Sequence, residues 1–273
     1  MALTLGLITD LHFGPEVRFE GKLRKLTHHA ADLTRAFVKT MNEEVHPDLI
    51  VNLGDDIEDE SRELDLQRYE ECQRILRTAT APLFNVAGNH DTINLGRADL
   101  NRFWQQDEVP HGPLHYSFDR ADFHFVVLHT MEKKDVEVRI FEPQLQWLQD
   151  DLRATLLPTV VLMHHPASEQ DLSDSRWFRN ADHIAKVKER KELRQVFEHS
   201  RKVRAVFNGH VHRNHIDVIE GIPYITLQSL IENLEDDAPG RPSASFAVVH
   251  LSQDRMIVRI RGNDPARYQI EFS

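Results

Sequence analysis

The sequence has a single cysteine among its 273 residues, Cys72, so no internal disulfide can form. Cys72 lies in the helix-like stretch YEECQRIL and reads as a small buried side chain. No run approaches the ~18 apolar residues of a membrane span. The opening MALTLGLITD is apolar, but it is short for a signal segment and lacks a basic flank. These absences lead to the expectation of a cytoplasmic, reducing setting with no membrane partner. Basic residues are in deficit: 33 Lys and Arg stand against 44 Asp and Glu, a formal net charge of −11. That balance disfavours a nucleic-acid backbone or an anionic membrane as partner. No basic stripe argues for a nuclease. A small phosphate ligand remains open, because local charge can oppose net charge. No repeat, low-complexity tract or long linker is visible, and a single domain over residues 1–273 is expected. No serine or cysteine motif offers a covalent nucleophile.

Histidine, by contrast, is plentiful. There are 17, and several are grouped: His12, His90, His164 with His165, then His210, His212 and His215. The chain around them alternates strand and helix patterns. LTLGLITD reads as a strand. From Leu33 the apolar positions Phe37, Val38, Met41 and Val45 make one helical face, which Pro47 ends. DLIVNLGD and APLFNVAGN read as strands on either side of the helical ELDLQRYEECQRIL. Strand–helix–strand order predicts parallel pairing with crossover helices. LHYSFDRADFHFVVLHT predicts an antiparallel hairpin, and EPQLQWLQDDL a helix with Pro143 in its first turn. PTVVLMHHP and VRAVFNGH are further strands, with an irregular segment at 167–180 and one charged helix over NADHIAKVKERKELRQVFEH between them. The end is strand-like throughout. The expected fold is α/β, with two central mixed sheets.

Polar residues gather where these strands stop. Asp10 and His12 follow the first, Asp55 the second, Asn89 and His90 the third, His164 another, and His210 with His212 the next. In α/β sheets, ligands bind beyond the carboxyl ends of strands. Five segments therefore deliver oxygen and nitrogen donors to one rim. Gly54, Gly88 and Gly209 precede three of the groups and are expected to let the backbone turn sharply. Imidazole, carboxylate and amide without thiolate suit Mn, Fe, Zn or Co. Seven side chains with one shared carboxylate make two four-ligand sets, and two cations about 3.5–4 Å apart form a clamp for in-line displacement at phosphorus. Two divalent cations outweigh the charges of Asp10, Asp55 and one hydroxide, leaving a pocket that welcomes an anion.

The motifs Asp10-Leu-His12, Gly54-Asp55, Gly88-Asn89-His90-Asp91, His164-His165-Pro166 and Gly209-His210-Val211-His212 resemble the five motifs of the calcineurin-like metallophosphoesterases. The resemblance runs from residue 10 to 212, with every motif residue present. It implies a four-layer α/β/β/α sandwich and a dinuclear site: Asp10, His12, Asp55 and His212 for one metal, and Asp55, Asn89, His164 and His210 for the other. It implies that His90 is no ligand but the residue that hydrogen-bonds a phosphate oxygen or protonates the leaving group. Asp91 would then orient its ring or cap the next turn, and His165 would touch substrate or pack behind His164. Metal-activated hydroxide would attack a phosphodiester or phosphoanhydride in a small nucleotide-like substrate.

Within the superfamily, the purple acid phosphatases carry a tyrosine three residues after the bridging aspartate. Here Glu58 stands there, which points away from that branch. The C-terminal third is similar to the manganese-dependent ADP-ribose and CDP-alcohol diphosphatases, and the compact plan resembles bacterial cyclic-nucleotide and glycerophosphodiester phosphodiesterases. Candidate substrate contacts are His165, Arg18 and Arg97, with Arg24, Phe19, Arg102, Trp177 and Phe178 as further cations and aromatics. The alternatives are a phosphomonoesterase or protein phosphatase on the same site, and a non-catalytic scaffold. The sequence leaves the oligomeric state open.

Overall fold

The computed structural model describes residues 2–104 and 112–272. Its strands are β1 (Leu3–Ile8), β2 (Leu49–Asn52), β3 (Leu83–Asn85), β4 (Tyr116–Arg120), β5 (Phe123–Val127), β6 (Met131–Lys133), β7 (Glu137–Arg139), β8 (Thr159–Leu162), β9 (Val203–Asn208), β10 (His215–Ile219), β11 (Ile222–Thr226), β12 (Phe246–Leu251), β13 (Arg255–Arg261) and β14 (Ala266–Glu271). Its α-helices are α1 (Ala30–Thr40), α2 (Arg62–Leu76), α3 (Asn89–Ile93), α4 (Arg97–Trp104), α5 (Glu142–Ala154), α6 (Asp182–Ala185) and α7 (Arg190–Ser200).

Two six-stranded sheets form the centre, in the orders β14-β13-β12-β1-β2-β3 and β10-β11-β9-β8-β5-β4. β1, β2 and β3 pair in parallel, and so do β5, β8, β9 and β11; the other pairings of the two sheets are antiparallel. Helices α1 and α2 supply the crossovers that parallel neighbours need. The layering is written in side-chain alternation. Phe125 and Val127 of β5, Val160 and Leu162 of β8, and Phe207 of β9 join Leu5, Leu7 and Val249 of the first sheet in one core. Their neighbours Val126, Val161 and Val206 point the other way, against Leu145 and Leu148 of α5 and Leu193 and Phe197 of α7. Phe37 and Val38 of α1 and Tyr69, Cys72 and Leu76 of α2 cover the first sheet. The expected four layers are therefore present, and Cys72 is buried.

The first helix begins at Ala30 and runs through a wider turn at Met41–Val45. It stops where His46 turns left-handed before Pro47. The expected single helix over 180–199 is broken into α6 and α7. Val187 is fully buried, its N–H donates to the Pro166 carbonyl at 3.1 Å, and Lys188 N–H donates to Val138 at 2.8 Å. A backbone that donates to another segment cannot also donate within a helix. The hairpin β6–β7 and the helices α3 and α4 were not expected either. α3 and the β6–β7 hairpin contribute to the cleft at the rim where β1, β2 and β3 end in register, Ile8 beside Asn52 and Asn52 beside Asn85.

Candidate metal centre

The loops leaving β1, β2 and β9 hold their polar residues in an unusual backbone state. Asp10, His12, Asp55, His210 and His212 all have left-handed φ, between 47° and 67°. This costs a non-glycine residue roughly 1–2 kcal/mol, and five such residues at one rim mark stored strain where the site lies. Of the three glycines, only Gly54 supplies a positive φ, +97°. The other two matter through close approach. A Cβ on Gly88 would overlap the Asp55 carboxylate, and one on Gly209 would overlap Thr9 and Asp10.

The seven expected donors come together. His12 Nε2 lies 3.2 Å from His212 Nε2, 3.8 Å from Asp10 Oδ1 and 3.9 Å from Asp55 Oδ2. His212 Nε2 is 3.3 Å from Asp10 Oδ1. On the other side, His164 Nε2 is 3.0 Å from Asn89 Oδ1 and 3.2 Å from Asp55 Oδ2. Donors about 2.1 Å from a shared ion, at angles of about 90–110°, stand about 3.0–3.4 Å apart. Asp55 is common to both groups.

The tautomers make the case stronger. His164 Nδ1–H donates to the Leu53 carbonyl at 2.9 Å, and His210 Nε2–H to the Ile184 carbonyl at 3.1 Å. His212 Nδ1–H donates to Glu232 at 2.8 Å, and His12 Nδ1–H to Glu58 at 3.0 Å. Carbonyls and carboxylates only accept, so each ring's outer nitrogen carries a proton and its inner nitrogen is left to hold a second proton or a cation. At His12 and His212 the inner nitrogens lie 3.2 Å apart, a separation that one shared proton or one cation would bridge. Asp10 Oδ1 is buried and has no hydrogen-bond partner, as a ligand oxygen would.

The electrostatics agree. Burial opposes charge on His164, but the Asp55 and Asp10 carboxylates outweigh it and raise the imidazole to about 10. Burial likewise opposes His212, which Asp10 and Glu232 raise to about 9. Asp10 and Asp55 are held below the usual carboxylate range against their burial, chiefly by His212 and His164 respectively. Burial lowers His12 to about 4, with help from Lys25, and lowers His210 to about 3, with help from His164. A negative field that attracts protons attracts divalent cations at the same positions, so binding them releases protons.

The remaining expected residues fall out differently. His90, at the head of α3, is partly exposed over the centre, its ring 5.0 Å from that of His12. Its Nδ1 pairs with Asp59 Oδ1 at 2.5 Å. The ring is therefore oriented by Asp59, and Asp91 does not touch it. Asp91 instead accepts the backbone N–H groups of Asp55, Asp56 and Gly88 at 2.8–2.9 Å, stapling two loops together. His165 is fully buried, with Nδ1 2.8 Å from Thr130 Oγ1 and its ring 4.1 Å from His210, so it packs behind the centre rather than facing a substrate. Arg18 is half exposed and paired with Asp237, and Arg97 and Arg102 are exposed on α4; none of the three lines the cleft. The cleft, about 980 Å³, does include Phe19, Arg24, Arg176, Trp177 and Phe178. Sequence reasoning missed Asp59 and Glu232, and it weighed Glu58 only as a residue that is not tyrosine. Glu232 had one signal, an acid directly after the apolar pair Leu230-Ile231.

The fold and this donor set define a dinuclear-type phosphoesterase architecture. The calcineurin-like phosphoesterase family model matches residues 3–214, and the chain belongs to that family of hydrolytic enzymes. It is 24% identical over 227 residues to a 3',5'-cyclic-nucleotide phosphodiesterase of Nostoc sp., covering 78% of this chain and 73% of that protein. It is 29% identical over 160 residues to the serine/threonine-protein phosphatase CPPED1 of Bos taurus, covering 54% of this chain. The matched region spans about half the length of some curated relatives, 47% of the bovine protein and 55% of one from Psychrobacter sp.. A dimetal phosphatase from Danio rerio shares the fold, with a TM-score of 0.78, 21% identity and 99% of each chain covered.

Proposed function

We propose that this chain is a metal-dependent phosphohydrolase acting on a phosphodiester or phosphoanhydride bond in a small, nucleotide-like molecule. The observation that carries the reading is the set of four histidines, each with its outer nitrogen held by an acceptor, gathered around the buried carboxylates of Asp10 and Asp55. Asp10, His12, Asp55 and His212 would hold one divalent cation, and Asp55, Asn89, His164 and His210 a second. When bound, such a pair polarises phosphoryl oxygens and supplies hydroxide at neutral pH.

The chain's own groups do the rest. Asp59 accepts from Nδ1 and fixes the His90 ring, so a second proton on Nε2 would be the one donated to the leaving oxygen. His90 N–H donates to Asp55 Oδ1 at 2.9 Å, which holds the shared carboxylate in place. The aromatic and cationic walls beyond the donors leave room for a second phosphate substituent and favour a diester over a monoester. The likeness to CPPED1 supports the alternative, a phosphomonoesterase or protein phosphatase.

The test is hydrolysis of bis(4-nitrophenyl) phosphate against 4-nitrophenyl phosphate by the full chain, with Mn, Fe, Zn or Co added after chelator treatment. The expected result is two cations bound per chain and faster diester cleavage. Monoester preference would replace this reading with the alternative, and absence of bound metal would overturn both.

A further inference from the structure

Glu232 is almost fully buried, at 2% exposure, yet it serves three partners. Its Oε2 accepts His212 Nδ1–H at 2.8 Å and the Trp177 indole N–H at 3.1 Å. Its Oε1 lies 3.2 Å from Arg176 Nη1. Trp177 and Arg176 belong to the irregular segment that walls the cleft. The Trp177 ring stands 5.4 Å from the His212 ring and 5.0 Å from the Phe19 ring. Arg24 Nη1 donates to the Arg176 carbonyl, and Arg24 sits 5.0 Å over Phe19 and 5.7 Å over Trp177. One carboxylate thus joins a donor of the centre to the wall that a substrate's second substituent would meet.

The other histidines reach the wall without a carboxylate that bonds both ring and wall. His164 and His210 lean on backbone carbonyls, and His210 meets the wall only through its ring, 4.7 Å from that of Phe178. His12 leans on Glu58, whose carboxylate also pairs with the buried Lys25, and Lys25 in turn sits 5.3 Å over the Trp177 ring, one side chain further removed.

We infer that Glu232 is a positioning residue that couples cation binding at Asp10, His12, Asp55 and His212 to the ordering of the Arg176–Trp177 wall. This rests on the metal-centre reading above. A cation on His212 Nε2 fixes the imidazole, the imidazole fixes the Glu232 carboxylate, and the carboxylate fixes the indole and the guanidinium. Coupling of this kind is reciprocal: if the cation steadies the wall, the wall must tighten the cation by the same factor. Removing a carboxylate that orients a ligating histidine typically weakens metal affinity about 10–100-fold. Removing one of the carboxylate's other partners should weaken it by a smaller factor.

The experiment is Mn titration of the chelator-stripped full chain by calorimetry, comparing wild type with Glu232→Gln, Trp177→Phe, Arg176→Gln and the control Ser173→Ala. Hydrogen exchange of the 171–180 segment is followed with and without Mn. The expected pattern is two Mn per wild-type chain, with one site weakened about 10-fold or more in Glu232→Gln. The same site weakens about 3-fold in Trp177→Phe and Arg176→Gln and is unchanged in Ser173→Ala. Mn should slow exchange of 171–180 in wild type. If Glu232→Gln fails to fold, the two wall variants carry the test, because neither residue is a candidate ligand. Two Mn per wild-type chain, with both wall variants within 2-fold of it, would overturn the coupling alone. A wild type that binds no Mn would overturn the metal centre and the coupling together.

Discussion

The Asp91 carboxylate is the most informative single perturbation. Its Oδ2 accepts N–H groups from Asp55 and Gly88, both at 2.9 Å, and its Oδ1 accepts Asp56 N–H at 2.8 Å. Burial, with Asp56 and Asp55 close by, pushes this carboxyl well above its ordinary range. Yet N–H donors face both oxygens, and a proton on either would meet one of them. Asp91→Asn separates these pressures. The amide oxygen can replace Oδ2 and keep two bonds, but its NH₂ then faces the Asp56 N–H. One buried donor left unsatisfied costs about 1–3 kcal/mol, and changing two ion-assisted bonds to neutral ones costs about 1 kcal/mol more. The sum, about 2–4 kcal/mol, corresponds to a drop in Tm of roughly 5–15 °C in a chain of this size. The same bonds hold the Asp55 backbone, and Asp55 belongs to both proposed ligand sets. A displacement near 1 Å would cost on the order of 100-fold in kcat/KM. The assays are thermal unfolding, metal content and diester hydrolysis on one preparation. A variant with Tm within about 1 °C of wild type and activity within about 3-fold would refute the three-donor account.

Other expectations follow from the same structure. His90→Ala should lower kcat by about 10²–10⁴-fold with cation content unchanged, and Asp59→Asn should reproduce part of that loss. Both effects should be larger for an alkyl than for a nitrophenyl leaving group; equal losses for both would remove the general-acid assignment. His124 is buried between Asp119 at 2.6 Å and Asp151 at 2.8 Å; burial opposes its charge, but the two carboxylates raise its pKa. The stability it contributes is full below about pH 6.5, the unfolded value, and is lost as pH rises through the higher folded value. The Tm gap between wild type and His124→Gln should therefore be wider at pH 6 than at pH 9.5, and a gap that widens with pH would contradict the pairing. Phe84 stacks on Phe118 with ring centroids 3.7 Å apart and planes 4° from parallel. Phe84→Ala should cost about 3–5 kcal/mol, read by denaturant titration; a cost below about 1 kcal/mol would mean the cavity collapses.

What the sequence determined by itself was periodicity and punctuation. Continuous apolar runs such as DLIVNLGD, each ending in Asp, Asn or His, were enough to give the strands, their parallel pairing and the seven donors at one rim, because side-chain alternation and strand ends are local properties. Tertiary structure decided whatever depends on which distant segment arrives. The helix expected over 180–199 breaks because Val187 and Lys188 donate to Pro166 and Val138. Asp91, next to His90 in the chain, turns inward to the loop after β2, while Asp59, 31 residues earlier, reaches the His90 ring. Arg18 and Arg97 face away from the cleft that Arg176 and Trp177 line. Glu232 has no motif around it, and its role exists only because one buried oxygen pair lies within hydrogen-bond reach of three side chains from two other segments. Short-range pattern can say that a polar group will be placed at a strand end. Which partner satisfies it is a question of hydrogen-bond distance between remote parts of the chain, and only the folded molecule answers it.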